Sequence, residues 1–336
     1  MKEILNHLFE HKTLSKDQAR EVLVNVAAGH YNQSQISSFL TVYMMRSITV
    51  AELEGFRNAL LDLCHRVDLD AYNPMDLCGT GGDGKDTFNI STLSSVVVAA
   101  AGVPVAKHGN YGVSSSCGSS NVLEALGIKF TTDTDALTRS MDKYNICFLH
   151  APLFHPAMKS VGPIRRDLGV KTFFNMLGPM VNPAFPKRQM VGVFSLELAR
   201  MYGYLYQQQP EVQYSIIHTM DGYDEVSLTS PFKIISDNRE AQYDADTLGL
   251  PHLKHEQIKG GDDVAASAKL FMDVLQGNCT EAQTAVVSAN AGMALHTARP
   301  ELAPQDAVAL AKETLASGKA YSLFYKLIND KAAVVA

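Results

Sequence analysis

The stretch DLCGTGGDGKDTFNIST, residues 76–92, decides the reading of the fold. An apolar run feeds a loop holding Gly79, Gly81, Gly82 and Gly84, and a helix begins near Asn89, Ser91 or Thr92. The residues outside this stretch repeat its layout. Short apolar runs at 75–78, 103–106, 146–150, 190–194 and 214–218 end in turn residues and lead into helical spacing. Strands alternating with helices imply an α/β fold with a mainly parallel central sheet flanked by helices on both faces. In such sheets the binding crevice lies beyond the carboxyl ends of the strands. The unusual residues of this chain stand just there.

Upstream of this stretch the pattern is helical only. Ser15 with Gln18, Asn32 with Gln35 and Thr49 with Glu52 each place a side-chain oxygen three residues ahead of Glu or Gln, the capping-box signature. An apolar stripe at Leu53, Phe56, Leu60 and Leu63 follows the last of them, and Gly29 offers a stop. We therefore expect a small all-helical domain over residues 1–72 and a larger α/β domain over 73–336. Part of 162–185, with its Arg165-Arg166 pair and NMLGPMVNP run, fits the strand–helix alternation poorly and is expected to join the helical domain. Helical stretches at 263–275, 280–297 and 304–316 read as scaffold.

The bulk numbers exclude several classes. The chain has 336 residues, 46% of them hydrophobic, and 29 basic against 35 acidic residues give a net charge of −6. A non-specific nucleic-acid binder needs a basic excess, so no nucleic-acid partner is expected. An anionic substrate would have to be held by local groups rather than by the overall field. The five scattered cysteines show no CxxC spacing, which fits a reducing compartment better than a disulfide framework. The first twenty residues lack an apolar signal core, and no apolar run is long enough to cross a bilayer. A cytoplasmic protein without membrane partners is the expectation.

Four constellations carry chemistry. In residues 79–84, glycines let backbone N–H groups approach a ligand, and the following helix N-terminus favours phosphate. The loop has neither the dinucleotide nor the P-loop spacing. Without a ligand it would be a tight strand-to-helix turn. The second constellation, AKHGNYGVSSSCGSSNVLEALG at 106–127, repeats the layout: Lys107 offers a cation, His108 a donor or proton shuttle, and Asn110, Ser114, Ser115 and Ser119 neutral polar groups. The third is Asp224-Glu225, two adjacent acids after a strand. They suit Mg²⁺ bridging to substrate phosphates, or else a solvated surface. The fourth is His150, His155, Arg165 and Gly178-Pro179. Arginine there reads a planar carboxylate, or else forms a salt bridge.

GTGGD at 79–83, KHGN at 107–110, SSxxGSxxVLEALG at 114–127, NMLGPMVNP at 175–183 and the acidic pair at 224–225 together resemble the anthranilate phosphoribosyltransferases of tryptophan biosynthesis. The resemblance spans nearly the whole chain. It implies a nucleoside phosphorylase/phosphoribosyltransferase-like fold and a homodimer. The implied reaction joins anthranilate and phosphoribosyl pyrophosphate (PRPP), with Mg²⁺ (two ions), to give N-phosphoribosylanthranilate and pyrophosphate. Carried over by position, Gly79, Gly82, Asp83, Thr87, Asn89, Ser91, Thr92, Lys107 and Ser119 would contact the donor, with Ile90 and Ser115 as further substrate-binding positions. Asn110 and Arg165 would contact anthranilate, lined by His108, His155, Gly178 and Pro179. Ser91, Asp224 and Glu225 would serve the magnesium ions, and Lys107, Asp224 and Glu225 would be catalytic. The chain departs from the family at Tyr111, where arginine is common, and at Asn121, where aspartate is common. The alternatives are a pyrimidine nucleoside phosphorylase and a non-catalytic nucleic-acid-binding relative.

Overall fold

A computed structural model describes residues 1–112, 117–237 and 239–330, which form two units. The first unit joins residues 1–66 to residues 151–185. Its main helices are Lys2–Phe9, Lys16–Ala27, Gln33–Met45 and Val50–Asp62, with shorter turns at Gly162–Leu168 and Phe174–Leu177. All three capping boxes form as their sequences specify. Each such cap contributes about 1 kcal/mol.

Glu52 does more than cap. Its carboxylate is fully buried and accepts from the Leu14 and Thr49 amides, the Tyr43 hydroxyl and the Arg46 guanidinium. Burial alone would raise this acid, but the Arg46 and backbone hydrogen bonds hold it below its ordinary value. Nearby, Phe39, Tyr43, Phe56 and Phe173 pack edge to face or stacked, at centroid distances of 4.4–6.1 Å. Two long helices cross closely at Gly55, where an added Cβ would stand 2.3 Å from the Lys16 carbonyl. This aromatic core needs both stretches of the chain.

The second unit comprises residues 67–150 and 186 onward. Its sheet holds β1 (Met75–Gly79), β2 (Val105–Gly109), β3 (Ile146–His150), β4 (Arg188–Gly192), β5 (Gln213–Thr219), β6 (Phe232–Ser236) and β7 (Arg239–Tyr243). The order is β3-β2-β1-β4-β5-β6-β7, parallel from β3 to β5 and antiparallel thereafter. The five parallel strands are the five apolar runs of the sequence. The β6–β7 pair is a structural addition: β7 reads REAQY, with no apolar alternation, and is placed by pairing with β6.

Helices Ile90–Ala100 and Glu281–Ala298 are buried nearly all round, so neither shows a polar face. They pack on each other and on the sheet. Small residues permit this. At Gly292 an added Cβ would stand 2.6 Å from the Val308 Cα of the neighbouring helix Pro304–Ala316. After β1 the chain lays β2 and β3 on one side and β4 on the other, so the order reverses between β1 and β4. That reversal is where ligand crevices of open α/β sheets form. Among the described residues no helix is long and apolar enough to cross a membrane.

Candidate active site at the end of the parallel sheet

The site begins where β1 and β4 stop. Both end in glycine, Gly79 and Gly192, and both glycines face Asp224. A Cβ on Gly79 would come within 2.3 Å of Asp224 Oδ2, and one on Gly192 within 1.5 Å of the Asp224 carbonyl oxygen. No other residue leaves room for the acid to enter between the strand ends. Beyond Gly79 the loop turns through positive φ at Gly81, Gly82, Gly84 and Asp86. Its start is pinned by the Thr80 amide, which donates to the Gly192 carbonyl at 3.0 Å.

The acidic pair closes on this loop. The Gly81 amide donates to Asp224 Oδ2 at 2.6 Å. Glu225 accepts from the Thr87 hydroxyl at 3.0 Å and from the Ser91 amide in the first turn of helix Ile90–Ala100 at 3.1 Å. Asp83 accepts from the Lys85 amide at 3.1 Å through one oxygen and lies within hydrogen-bonding reach of Asp224. Burial, then repulsion from Asp83, pushes the Asp224 carboxyl up to about 7. Burial, then repulsion from Asp224 and Asp83, raises Glu225 well above its ordinary value. Burial raises Asp83 as well. Three acids are thus held together at an energetic cost that an added cation would relieve. Among the described residues no three or more His, Cys, Asp or Glu side chains form a ready-made metal cage.

The second loop leaves β2. Asn110 lies exposed beyond the strand end, with Oδ1 accepting from the Tyr111 amide and its carbonyl accepting from Ser119 Oγ and the Ser120 amide. Asn121 Oδ1 accepts from both Gly112 and Gly118 amides, each at 3.0 Å. Tyr111 donates to Glu124 and meets the His150 ring edge-on, and His150 stacks on Phe130 and shares a hydrogen bond with Ser120 Oγ. Asn89 reaches from the first loop toward the second, to the Cys117 carbonyl at 3.5 Å. Ser115, and Ser114 beside it, lie outside the described residues.

Lys107 differs from the expectation of a cation open to the donor. The residue is 3% exposed, and its ammonium donates to the Leu77 carbonyl of β1 at 2.5 Å, with Asp76 and Glu225 in electrostatic range. Burial lowers its pKa, and the two acids oppose that shift. An interior strand of a parallel sheet has a backbone neighbour on each side, and β1 supplies the acceptor. Beneath it Asp76, fully buried, accepts from the His108 amide and from Gln189. His108 itself is buried, as are Ile90 and Thr92.

The helical unit holds the remaining candidates. Arg165 donates to Asn175 Oδ1 at 3.2 Å and lies over the Phe174 ring. His155 is buried and hydrogen-bonded to the Val181 carbonyl at 2.8 Å, just past the exposed Gly178 and buried Pro179. Burial pushes the His155 imidazole down to about 4, against the effect of the Val181 bond.

Two family models match the two parts of the sequence: "Glycosyl transferase family, helical bundle domain" over residues 2–64, and "Glycosyl transferase family, a/b domain" over residues 71–321. The anthranilate phosphoribosyltransferase of Christiangramia forsetii is 62% identical over 327 residues, covering 97% of this chain and 98% of that one. The chain belongs to the anthranilate phosphoribosyltransferase family. A crystal structure of the Thermus thermophilus anthranilate phosphoribosyltransferase matches with a TM-score of 0.90 at 31% identity, covering 99% of each chain. The Saccharomyces cerevisiae anthranilate phosphoribosyltransferase, in complex with PRPP and Mg, shares the fold with a TM-score of 0.90 at 24% identity, over 98% of this chain and 96% of that one.

Sequence reasoning missed one group of site residues. Residues 258–260 pair with the backbone of 86–88 on the far side of the glycine loop. Only the Gly260-Gly261 pair hinted at close backbone approach.

Proposed function

We propose that the loops after β1, β2 and β5 hold PRPP and Mg²⁺, and that Asn110 and Arg165 recognise anthranilate. The activity is that of the family: transfer of the 5-phosphoribosyl group from PRPP to the anthranilate amine, releasing pyrophosphate, in tryptophan biosynthesis. One observation carries the site assignment. Asp224 and Glu225 occupy the Gly81 and Ser91 amides and the Thr87 hydroxyl, the donors a phosphate would use.

The acids fit a hard cation. Burial first and repulsion from neighbouring acids, Asp83 among them, second raise them, and they offer a partial shell that substrate oxygens would complete, as Mg²⁺ prefers. Asp224, Glu225 and Ser91 would hold two ions, with Asp83 beside them. The Saccharomyces cerevisiae relative bound PRPP and Mg together, which supports this reading. When bound, the cation would stabilise negative charge on the departing pyrophosphate.

The chain's own residues then have distinct tasks. The aniline-type amine of anthranilate is a weak nucleophile, so the path of least resistance breaks the bond from ribose C1 to pyrophosphate first. When the acids turn to the cation, the Gly81 and Ser91 amides that they now hold would be released to the leaving charge. Thr87, Asn89, Thr92 and Ser119 orient the donor, and Lys107 balances Asp76 and Glu225 from below. Asn110, with Oδ1 taken by the Tyr111 amide, presents its amide nitrogen to the acceptor. Arg165, stacked on Phe174, takes the carboxylate in two-pronged fashion. Placing the amine over C1 supplies much of the remaining rate. We also propose a cytoplasmic homodimer.

The test follows anthranilate fluorescence with and without PRPP and Mg²⁺. Loss of signal should require both, and free base released from thymidine and phosphate would instead favour a phosphorylase. Arg165→Ala should raise the KM for anthranilate about tenfold or more while changing that for PRPP less than about twofold, as loss of a charged hydrogen-bonding group predicts. An unchanged anthranilate KM would remove Arg165 from the acceptor site.

A further inference from the structure

Residues 255–260 belong to no constellation that the sequence singles out, yet they touch both halves of the candidate donor site. On one side the Gly260 amide donates to the Asp86 carbonyl at 2.8 Å, and the Phe88 amide donates to the Ile258 carbonyl at 3.3 Å. Between them Thr87 and Lys259 form an isolated antiparallel bridge. On the other side the Tyr223 hydroxyl and His255 Nδ1 share a hydrogen bond of 2.6 Å, with their rings stacked at 5.6 Å. Tyr223 is the residue before Asp224, and Thr87 is the hydroxyl donor to Glu225. The segment is itself fixed. Ile258 is fully buried, and the Leu253 amide donates to the Leu228 carbonyl at 2.9 Å.

We propose that residues 255–260 are a positioning element for the donor site, with Gly260 and His255 as the positioning residues. The inference rests on the reading that the 79–91 loop and the acidic pair bind PRPP and Mg²⁺. Gly260 sets one distance. A Cβ there would stand 2.9 Å from the Thr87 carbonyl oxygen and 3.1 Å from that of Asp86, so any side chain moves the loop backbone away. Thr87 would then leave Glu225. His255 sets the other, because its bond and stacking hold Tyr223 and so fix where Asp224 enters between Gly79 and Gly192. One short segment thereby keeps the glycine loop and the carboxylates in register. A misplacement near 1 Å at such a site can lower rates about 10²-fold.

The experiment measures Mg²⁺·PRPP binding by calorimetry and steady-state KM for both substrates, in wild type, Gly260→Ala, His255→Ala and His255→Asn. Gly260→Ala should raise the PRPP KM and the Mg²⁺ half-saturation about tenfold, and His255→Ala about fivefold, with the anthranilate KM within about twofold. Asparagine, which places an amide near the Nδ1 position, should bring His255→Asn within about twofold of wild type. Thermal melting separates folding from positioning. If Gly260→Ala fails to fold, the two His255 variants decide the matter. PRPP binding unchanged in His255→Ala, or both KM values rising together with a lowered melting temperature and no recovery in His255→Asn, overturns the inference. A wild type that binds no PRPP and consumes no anthranilate sinks the functional reading, and this inference with it.

Discussion

The loops after β1 and β2 look alike in sequence but are held in opposite ways. The first is braced from afar: Gly192, Asp224, Glu225 and residues 258–260 all reach it, and they lie more than a hundred residues away in the chain. Among its described residues the second is tied mostly by near neighbours, with Asn89 and His150 reaching it from outside. Asn121 ties Gly112 to Gly118, and Ser119 and Ser120 tie back to Asn110, all within a dozen residues. A loop braced by distant segments takes its shape from the whole unit, so small errors anywhere reach it. A loop tied mostly by near neighbours depends more on a few local bonds.

The largest expected effect removes the distant brace outright. Asp224→Ala combined with Glu225→Ala should lower turnover at least ~10²-fold at saturating Mg²⁺, the range for losing a main electrostatic stabiliser. Near-wild-type rates would mean the first loop needs no acids. A pair of glycine substitutions sharpens the contrast. Gly192→Ala would place Cβ 1.5 Å from a backbone oxygen, whereas Gly109→Ala would meet the Ser119 hydroxyl at 2.5 Å, a side-chain atom that can rotate aside. We expect kcat/KM to fall about tenfold or more in the former and about threefold or less in the latter, as overpacking against rigid atoms predicts. Equal losses would erase the distinction.

Asn121→Ala deletes the acceptor that closes the second loop. It should raise the PRPP KM about five- to tenfold, the equivalent of one or two lost hydrogen bonds, and Asn121→Asp should stay near wild type. The smallest effect concerns pH. Burial holds His150, beneath Tyr111, below its ordinary value, so folding favours the neutral ring. The associated stability is present above the unfolded value near 6.5 and is lost as pH falls below it. The protection of the amides at 119–121, taken relative to the intrinsic exchange rate at each pH, should therefore fall between pH 7.5 and pH 5 more than that of the amides at 87–91. Equal change in both loops would deny the second its own titration.

The same contrast explains what was legible in the sequence. Capping boxes, the five parallel strands and the helical stretches starting near Asp263 and Thr280 are local patterns, and the structure has each of them. The two loops were visible because glycines and small polar residues cluster after apolar runs. What stayed hidden is long-range or lacks a pattern. Strand β7 is polar and exists through its neighbour. Residues 258–260 meet the loop through backbone groups, and glycine at 260 is the one mark of that approach in the sequence. The burial of Lys107 against Leu77 follows from strand register, which composition does not encode.

The helical unit's two-part construction has a consequence for synthesis. Phe56 leaves the ribosome 117 residues ahead of Phe173, the ring it stacks on at 4.4 Å. At the usual ~5–20 residues per second this is a delay of roughly 6–23 s. Throughout that interval Phe39, Tyr43 and Phe56 have no Phe173 to pack against, although the helices carrying them are already capped. The nascent chain thus holds an aromatic cluster that waits for its last member, while β1, β2 and β3 emerge in between.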